Sequence, residues 1–281
     1  MKKLSIDRFA AMNMVYQRYS FEFFLDSLDR LGISNFELWT GAPHLNNLVE
    51  SLSDAQKVRR QVEDRKKRIV CVTPEQCLYP HNIAAVDDGL RQYSLDYFLS
   101  YIDMTAQLGC DKMLCCAGWG NYDEDPALAW ARSVDSLKRM TERAEQRGVT
   151  LAFEILCPSE SNLVNDLAST KRMMDEIQSP NFMLCIDTVP IRLSGAQVED
   201  FFETFGKRIC HIHLTDGTPT GHLPTGLGEH PIIHYLRVIE ENDYAGDITL
   251  EIGNPAWYQN PEEATRISFE TISNSLNARN A

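Results

Sequence analysis

Four residues with metal-binding side chains each end a short apolar segment in the second half of the chain. They are Glu154 after Leu-Ala-Phe, Asp187 after Leu-Cys-Ile, His213 after Cys-His-Ile and Glu251 after Ile-Thr-Leu. Consecutive members are roughly 26 to 38 residues apart, about the length of one strand–helix unit. A single acidic residue at a strand end is more often a helix cap or a loop residue, but four in consecutive units favour a shared site.

The donor set of these four side chains predicts one divalent metal ion. Three carboxylates crowded together repel each other and favour protonation unless a cation neutralises them. Mixed oxygen and nitrogen ligands suit Mn²⁺, Co²⁺, Fe²⁺, Mg²⁺ or Zn²⁺ better than a soft metal. His213 is the only nitrogen ligand in the predicted set.

Eight short apolar segments have the length and composition of buried strands. They are too short for helices and nearly continuous in apolar character, which is typical of parallel strands covered by helices. The predicted strands are residues 4–12, 35–40, 68–75, 112–117, 149–154, 182–187, 208–214 and 247–252.

Amphipathic helical segments lie between these strands. The predicted helices are residues 20–31, 53–66, 90–108, 127–147, 167–178, 197–205, 231–241 and 261–275. Ser20 is a plausible N-cap, and Gly32, Gly109 and Gly148 follow three of the helices as C-terminal caps do. Eight strands alternating with eight helices predict a (β/α)8 TIM barrel, with residues 1–281 as a single domain. A doubly wound open sheet is the alternative, although neither glycine-rich nucleotide-binding motif follows a strand.

The carboxyl ends of barrel strands converge on one face, so the four predicted ligands should meet there. His211 precedes His213 by two positions and therefore points to the same side of its strand. It is either a further contact at the site or a packed core histidine.

Composition and charge exclude several other classes of protein. The chain has 281 residues, of which 43% are hydrophobic and 24% charged, as in globular proteins. A net charge of −13 argues against nucleic-acid and acidic-membrane partners. The eight cysteines form no Cys-x-x-Cys pair and lie mostly in apolar segments, which predicts free thiols. Without a signal-peptide pattern or a long apolar segment, we expect a cytoplasmic protein.

Several motifs resemble the sugar isomerase/epimerase family with the xylose-isomerase-like barrel. The motifs are Glu154 to Asn162, Cys185-Ile-Asp187-Thr, His211-Ile-His213 and Leu250-Glu251-Ile. Within this family the chain looks closest to the ketose 3-epimerases and their fructoselysine branch, on the segments Glu37 to His44, Thr73-Pro-Glu75 and Tyr79-Pro80. The resemblance covers nearly the whole chain.

The resemblance implies a role for each candidate residue. Glu154, Asp187, His213 and Glu251 would bind one metal ion, commonly Mn²⁺, and the two glutamates would also transfer the proton. The implied substrate contacts are Glu160, six residues after the first glutamate, and Trp119 after the fourth strand, with His222, His211 and Glu37 as further candidates. The family also implies a small sugar substrate and a homo-oligomer.

Two departures from the tagatose-type pattern affect the substrate. Pro190 stands where those enzymes carry a histidine, and Pro219 where they carry an arginine. His222 would take over a lost contact. The departures point toward a ketosamine, whose ammonium an acidic edge formed by Glu160, Asp216 and Glu37 would attract.

The predicted groups suit chemistry at a carbon next to a ketone. A metal that binds the carbonyl and neighbouring hydroxyl oxygens stabilises the enediolate formed when the proton leaves. Two glutamates on opposite faces would give epimerisation, one shuttling base would give aldose–ketose isomerisation, and loss of a hydroxyl would give dehydration. A metal-dependent endonuclease and a non-catalytic sugar-binding barrel are the alternatives from other classes. The net negative charge of the chain argues against an endonuclease, and the complete set of four candidate ligands argues against a non-catalytic barrel.

Overall fold

Eight parallel strands form a closed barrel in the computed structural model, which describes residues 3–76 and 80–280. Neighbours along the chain are neighbours in the sheet, and β8 pairs with β1. The strands are β1 Phe9–Met12, β2 Asn35–Trp39, β3 Arg68–Thr73, β4 Lys112–Cys115, β5 Thr150–Glu154, β6 Phe182–Asp187, β7 Ile209–His213 and β8 Ile248–Leu250. The predicted (β/α)8 barrel is therefore confirmed. Tyr79 of the resemblance motif lies outside the described residues.

Helices surround the barrel and begin and end near the predicted positions. The helices of the described residues are α1 Phe21–Leu31, α2 Leu52–Asp64, α3 Asp88–Gln107, α4 Pro126–Arg147, α5 Leu167–Glu176, α6 Thr188–Ser194, α7 Val198–Phe205, α8 Ile232–Glu241 and α9 Pro261–Asn280. None of these has the combination of length and apolar character that a membrane-crossing helix needs.

Two elements differ from the prediction. The first predicted strand, 4–12, is a strand only from Phe9, because Ile6–Arg8 forms a 3-10 turn. Helix α6 was absent from the prediction because a seven-residue helix with Pro190 in its first turn has no amphipathic repeat to detect. It follows β6 directly, since the side chain of Asp187 caps it.

Helix caps explain why the chain turns where it does. The Ser20 side chain accepts a hydrogen bond from the Phe23 N–H and begins α1. Gly32 and Gly148 end α1 and α4 in the left-handed conformation, which glycine adopts without the steric cost of a Cβ. The two glycines reverse the chain direction after α1 and α4, and β2 and β5 begin within a few residues.

Small side chains are prominent in a second apolar cluster, separate from the main core. Ala10, Cys71, Ala152 and Cys185 belong to it together with Val70 and Leu114. All seven cysteines within the described residues are free, as predicted, and six of them are buried.

Candidate metal centre and active-site cavity

The four predicted metal ligands meet at the carboxyl end of the barrel. Glu154, Asp187 and His213 end β5, β6 and β7, and Glu251 follows β8. One donor atom from each lies within 4.8 Å of the others. The His213 Nδ1 atom is 2.7 Å from Glu154 Oε1 and 3.1 Å from Glu251 Oε2. Parallel pairing of consecutive strands creates this cluster from residues far apart in sequence.

Asp187 has two tasks at the end of β6. Its Oδ1 atom accepts a hydrogen bond of 2.9 Å from the Val189 N–H at the start of α6. This bond fixes the carboxylate and leaves Oδ2, which lies 3.8 Å from His222 Nε2, for the cluster. The helix start therefore orients one ligand of the site.

Keeping the carboxylates of the cluster ionised costs free energy unless a cation is bound, and the raised pKa values of Glu154 and Asp187 reflect this cost. Burial, together with the carboxylates of Glu251 and Asp187, raises the pKa of Glu154 to about 8, although His213 opposes this shift. Burial and Glu251 raise the pKa of Asp187 to about 6. Such shifts mark carboxylates crowded in a low-dielectric environment.

The donor atoms present fit a divalent metal ion. His213 Nδ1 is buried and has no hydrogen-bond partner among the described residues, although carboxylate oxygens surround it. An unpaired ring nitrogen beside three carboxylates supplies the mixed nitrogen and oxygen ligands that Mn²⁺, Co²⁺, Fe²⁺ or Zn²⁺ accepts.

Glu37 and His211 lie beneath the cluster, inside the barrel, and neither is exposed to solvent. Glu37 faces His211 Nε2 at 2.7 Å and His213 Nε2 at 3.1 Å, and it accepts a hydrogen bond from Thr73 Oγ1. Burial alone would raise the pKa of Glu37, but the adjacent His213 and His211 imidazoles hold it well below its usual range. Both residues are candidate substrate contacts, with a packed core histidine as the alternative for His211; both are fully buried, and neither belongs to the cavity lining described below.

A cavity of about 360 Å³ opens above the cluster. This volume is within the range of small-molecule sites. Its lining residues are Met12, Met14, Gln17, Trp39, Thr73, Pro74, Glu75, Gln76, Leu114, Glu154, Glu160, His222, Glu251, Gly253 and Tyr258. Of the four candidate metal ligands, Glu154 and Glu251 belong to this lining, whereas Asp187 and His213 do not.

Two predicted substrate contacts, Glu160 and His222, line the cavity. Glu160 is held by the Cys157 N–H, which donates to its Oε2 atom at 3.1 Å. His222 has a left-handed backbone conformation, with φ of 45°, that is costly for a residue with a Cβ. Its carbonyl accepts hydrogen bonds from the N–H groups of Gly253 and Asn254, so the loop is tied to the end of β8 in this conformation.

Trp119 and Asp216 have other environments. Trp119 is partly buried, does not belong to the described lining of the cavity, and pairs through its backbone N–H and carbonyl with the Asn82 side chain. Asp216 is buried and accepts hydrogen bonds from backbone N–H groups of its own loop, among them those of Gly226 and Gly228. It therefore holds the loop after β7 rather than forming an acidic edge.

Most of the cavity lining was not assigned a role from the sequence, including the polar or aromatic residues Trp39, Glu75, Gln76 and Tyr258. Trp39 ends β2, and Glu75 follows the end of β3 by two residues. Glu75 also ends the predicted strand 68–75, so the strand-end rule that selected the candidate metal ligands selects it as well. Tyr258 lies beyond β8, in a loop without a comparable signal.

An eight-stranded parallel barrel with clustered carboxylate and histidine side chains below a cavity at its carboxyl end has the organisation of a TIM-barrel enzyme. Residues 25–274 match the family model described as xylose isomerase-like TIM barrel, and the chain belongs to that family. The family resemblance of the motifs is thereby confirmed.

Known proteins similar to this chain include sugar epimerases. Fructoselysine 3-epimerase of Shigella flexneri is 27% identical over 239 residues, which are 84% of this chain and 87% of that protein. L-ribulose 3-epimerase of Mesorhizobium japonicum is 27% identical over 173 residues, 60% of this chain and 57% of that protein. A solved structure of L-ribulose 3-epimerase superposes with a TM-score of 0.81 at 18% identity and covers 96% of this chain and 94% of that one.

Proposed function

We propose that the protein is a divalent-metal-dependent 3-epimerase of a ketose or a ketosamine. The observation that carries this proposal is the position of two glutamates. Of the four ligands, only Glu154 and Glu251 line the cavity, and they come from β5 and β8, which β6 and β7 separate. Two carboxylates that approach one cavity from different strands suit a reaction that removes a proton from one face of a carbon and returns it to the other.

The metal ion, held by the four ligands, would stabilise negative charge on the substrate oxygens next to the reacting carbon. In the forward direction one of Glu154 and Glu251 accepts the proton from carbon 3. The other donates a proton to the opposite face, and the roles exchange in the reverse direction. Glu160 and His222 line the same cavity and would orient substrate hydroxyl groups.

A ketosamine of the fructoselysine type is the proposed substrate, and Mn²⁺ is the proposed metal. Support for the substrate comes from the fructoselysine 3-epimerase relative, which aligns with 84% of the chain. Further support comes from Pro190 and Pro219, which remove two contacts expected for free ketoses. We further propose that the protein is cytoplasmic and forms a homo-oligomer.

Deuterium exchange tests the reaction directly. The Mn²⁺-loaded protein is incubated in D₂O with fructoselysine, psicose and tagatose, and deuterium entry at each carbon is followed by NMR. We expect deuterium at carbon 3 together with formation of the 3-epimer, fastest for fructoselysine. A much higher kcat/KM for a free ketohexose would contradict the substrate. Exchange at carbon 1 would indicate an isomerase instead of an epimerase, and loss of water from the substrate would indicate a dehydratase.

A further inference from the structure

The cavity holds two carboxylates beyond those that would bind the metal. Glu75 and Glu160 line it, and no lysine or arginine belongs to its lining in the part of the chain that the structure describes. A divalent ion and a protonated His222, which lies 3.8 Å from Asp187 and Glu251, together bring three positive charges. The cluster and the additional pair carry five carboxylates, so the cavity stays negative. The electrostatic potential of the cavity therefore disfavours a phosphorylated sugar and favours a cationic substituent.

Glu75 is held in place by Trp39. The Trp39 Nε1–H donates to Glu75 Oε2 at 3.2 Å, which leaves Oε1 for a ligand. The indole packs directly over Gly41, where a Cβ would lie only 1.9 Å from the ring. Because Gly41 lets the indole approach the backbone, Trp39 and the carboxylate that it holds are fixed before a ligand binds.

Gln76 presents a second acceptor to the same cavity. Its side chain lines the cavity, the residue is only 4% exposed, and its Oε1 atom has no hydrogen-bond partner among the described residues. A buried amide oxygen without a partner costs free energy unless a ligand donates to it. Glu75 and Gln76 therefore both present acceptors, and a group with several N–H donors and a positive charge matches them.

We propose that Glu75, Gln76 and Trp39 form a subsite for the protonated secondary amine that a ketosamine carries on carbon 1. The inference rests on the proposed function and names the part of the substrate that these residues recognise. A carboxylate and an amide oxygen accept the two N–H bonds of this ammonium, and the adjacent indole favours a cation. The rest of the amine substituent extends out of the cavity.

A matched pair of ligands tests the charge at this position. The first is 1-deoxy-1-butylamino-fructose, and the second is the neutral 1-O-butyl ether of fructose. Binding to the Mn²⁺-loaded protein is measured by calorimetry, and turnover by exchange at carbon 3. Glu75→Gln keeps an oxygen that can accept from Trp39, so it removes charge with little change of shape. Glu63→Gln, on the exposed side of α2, is the control.

In wild-type protein the amine should bind roughly 10- to 100-fold more tightly than the ether, the size expected for a charge-assisted hydrogen bond. Glu75→Gln should abolish this preference for the amine over the ether, whereas the Glu63→Gln control should retain it. Equal binding of the amine by wild type and Glu75→Gln would overturn the subsite, even if exchange at carbon 3 occurs. Absence of exchange with a preserved amine preference would overturn the epimerase and retain the subsite.

Discussion

The buried Glu37 should determine how tightly the proposed site binds a metal ion, although it is not one of the four predicted ligands. A metal ion at His213 Nδ1 requires the proton of that ring on Nε2. Glu37 lies 3.1 Å from this Nε2 atom and, as a carboxylate, can only accept a hydrogen bond from it. It thus selects the ring tautomer whose Nδ1 lone pair points at Glu154 and Glu251. Such outer partners commonly orient metal-binding histidines.

The change Glu37→Gln tests this interpretation. A hydrogen bond to a charged acceptor contributes about 1.5–3 kcal/mol, and 1.4 kcal/mol corresponds to a tenfold change in a dissociation constant. Glutamine keeps an acceptor oxygen but carries no charge, and because Glu37 and His213 are both fully buried, water does not compensate for the lost charge. We therefore expect Mn²⁺ to bind about 10- to 100-fold more weakly, in line with other losses of such partners. Free Mn²⁺ is measured by electron paramagnetic resonance during titration.

A second variant separates the effect on His213 from general damage inside the barrel. Thr249→Val removes the contact of 3.1 Å between Thr249 Oγ1 and His211 Nε2 but leaves Glu37 and His213 unchanged. It should bind Mn²⁺ like the wild type. With the diamagnetic Zn²⁺ form, ¹⁵N NMR of the His213 ring should show the proton on Nε2 in wild type. The reasoning is refuted if Glu37→Gln folds, keeps this tautomer and binds Mn²⁺ within twofold of the wild type.

Three further predictions concern catalysis, the metal and pH. Glu154→Gln and Glu251→Gln should each lower kcat by about 10²- to 10⁴-fold, as expected for loss of a general acid or base; near-normal turnover at full metal content would show that the residue is only a ligand. A chelator should abolish activity and Mn²⁺ or Co²⁺ should restore it, while His213→Ala should weaken metal binding; full activity of metal-free protein would contradict the site. Burial lowers the pKa of His44 from 6.5 to about 4, so between these values the unfolded chain binds a proton that the folded chain does not. The free energy of unfolding should therefore fall as pH drops through this window, by up to ~1.4 kcal/mol per pH unit, and His44→Gln should show a shallower slope in urea titrations; an identical slope would contradict the assignment.

The barrel and the cluster of four candidate metal ligands were predictable because their signals are local. Each strand is a short apolar segment, and each ligand is the polar residue that ends it, so a few neighbouring residues carry the pattern. Closure of the barrel then brings the strand ends together, independently of the conformations of the loops. Helix α6 shows the limit of this approach, since its position depends on one capping bond from Asp187 rather than on a repeated pattern.

The cavity was less predictable because its residues share no single pattern. Glu160 and His222 were found through a family resemblance, whereas Glu75 satisfies the strand-end rule on the predicted third strand and Trp39 has no such signal. Trp119 also satisfies a strand-end rule, after β4, yet Asn82 anchors its backbone and it does not belong to the described lining. Position at the carboxyl end of a strand therefore selects candidates, and the path of each loop decides which of them face the substrate.

The contacts of Glu37 with His211 and His213 cannot be predicted from the residues around Glu37 in the sequence. In the sequence Glu37 is a single acidic residue within a short strand. Such a residue can be an exposed charged group at the barrel rim or a buried one. A buried carboxylate is stable only when it is paired, and its partners come from β7, more than 170 residues later. The one local signal is the spacing of His211 and His213, because alternate residues of a strand face the same side. Two imidazoles that enter a barrel together need an acceptor there, and Glu37, on the inward side of β2 with Trp39, is in position to supply it.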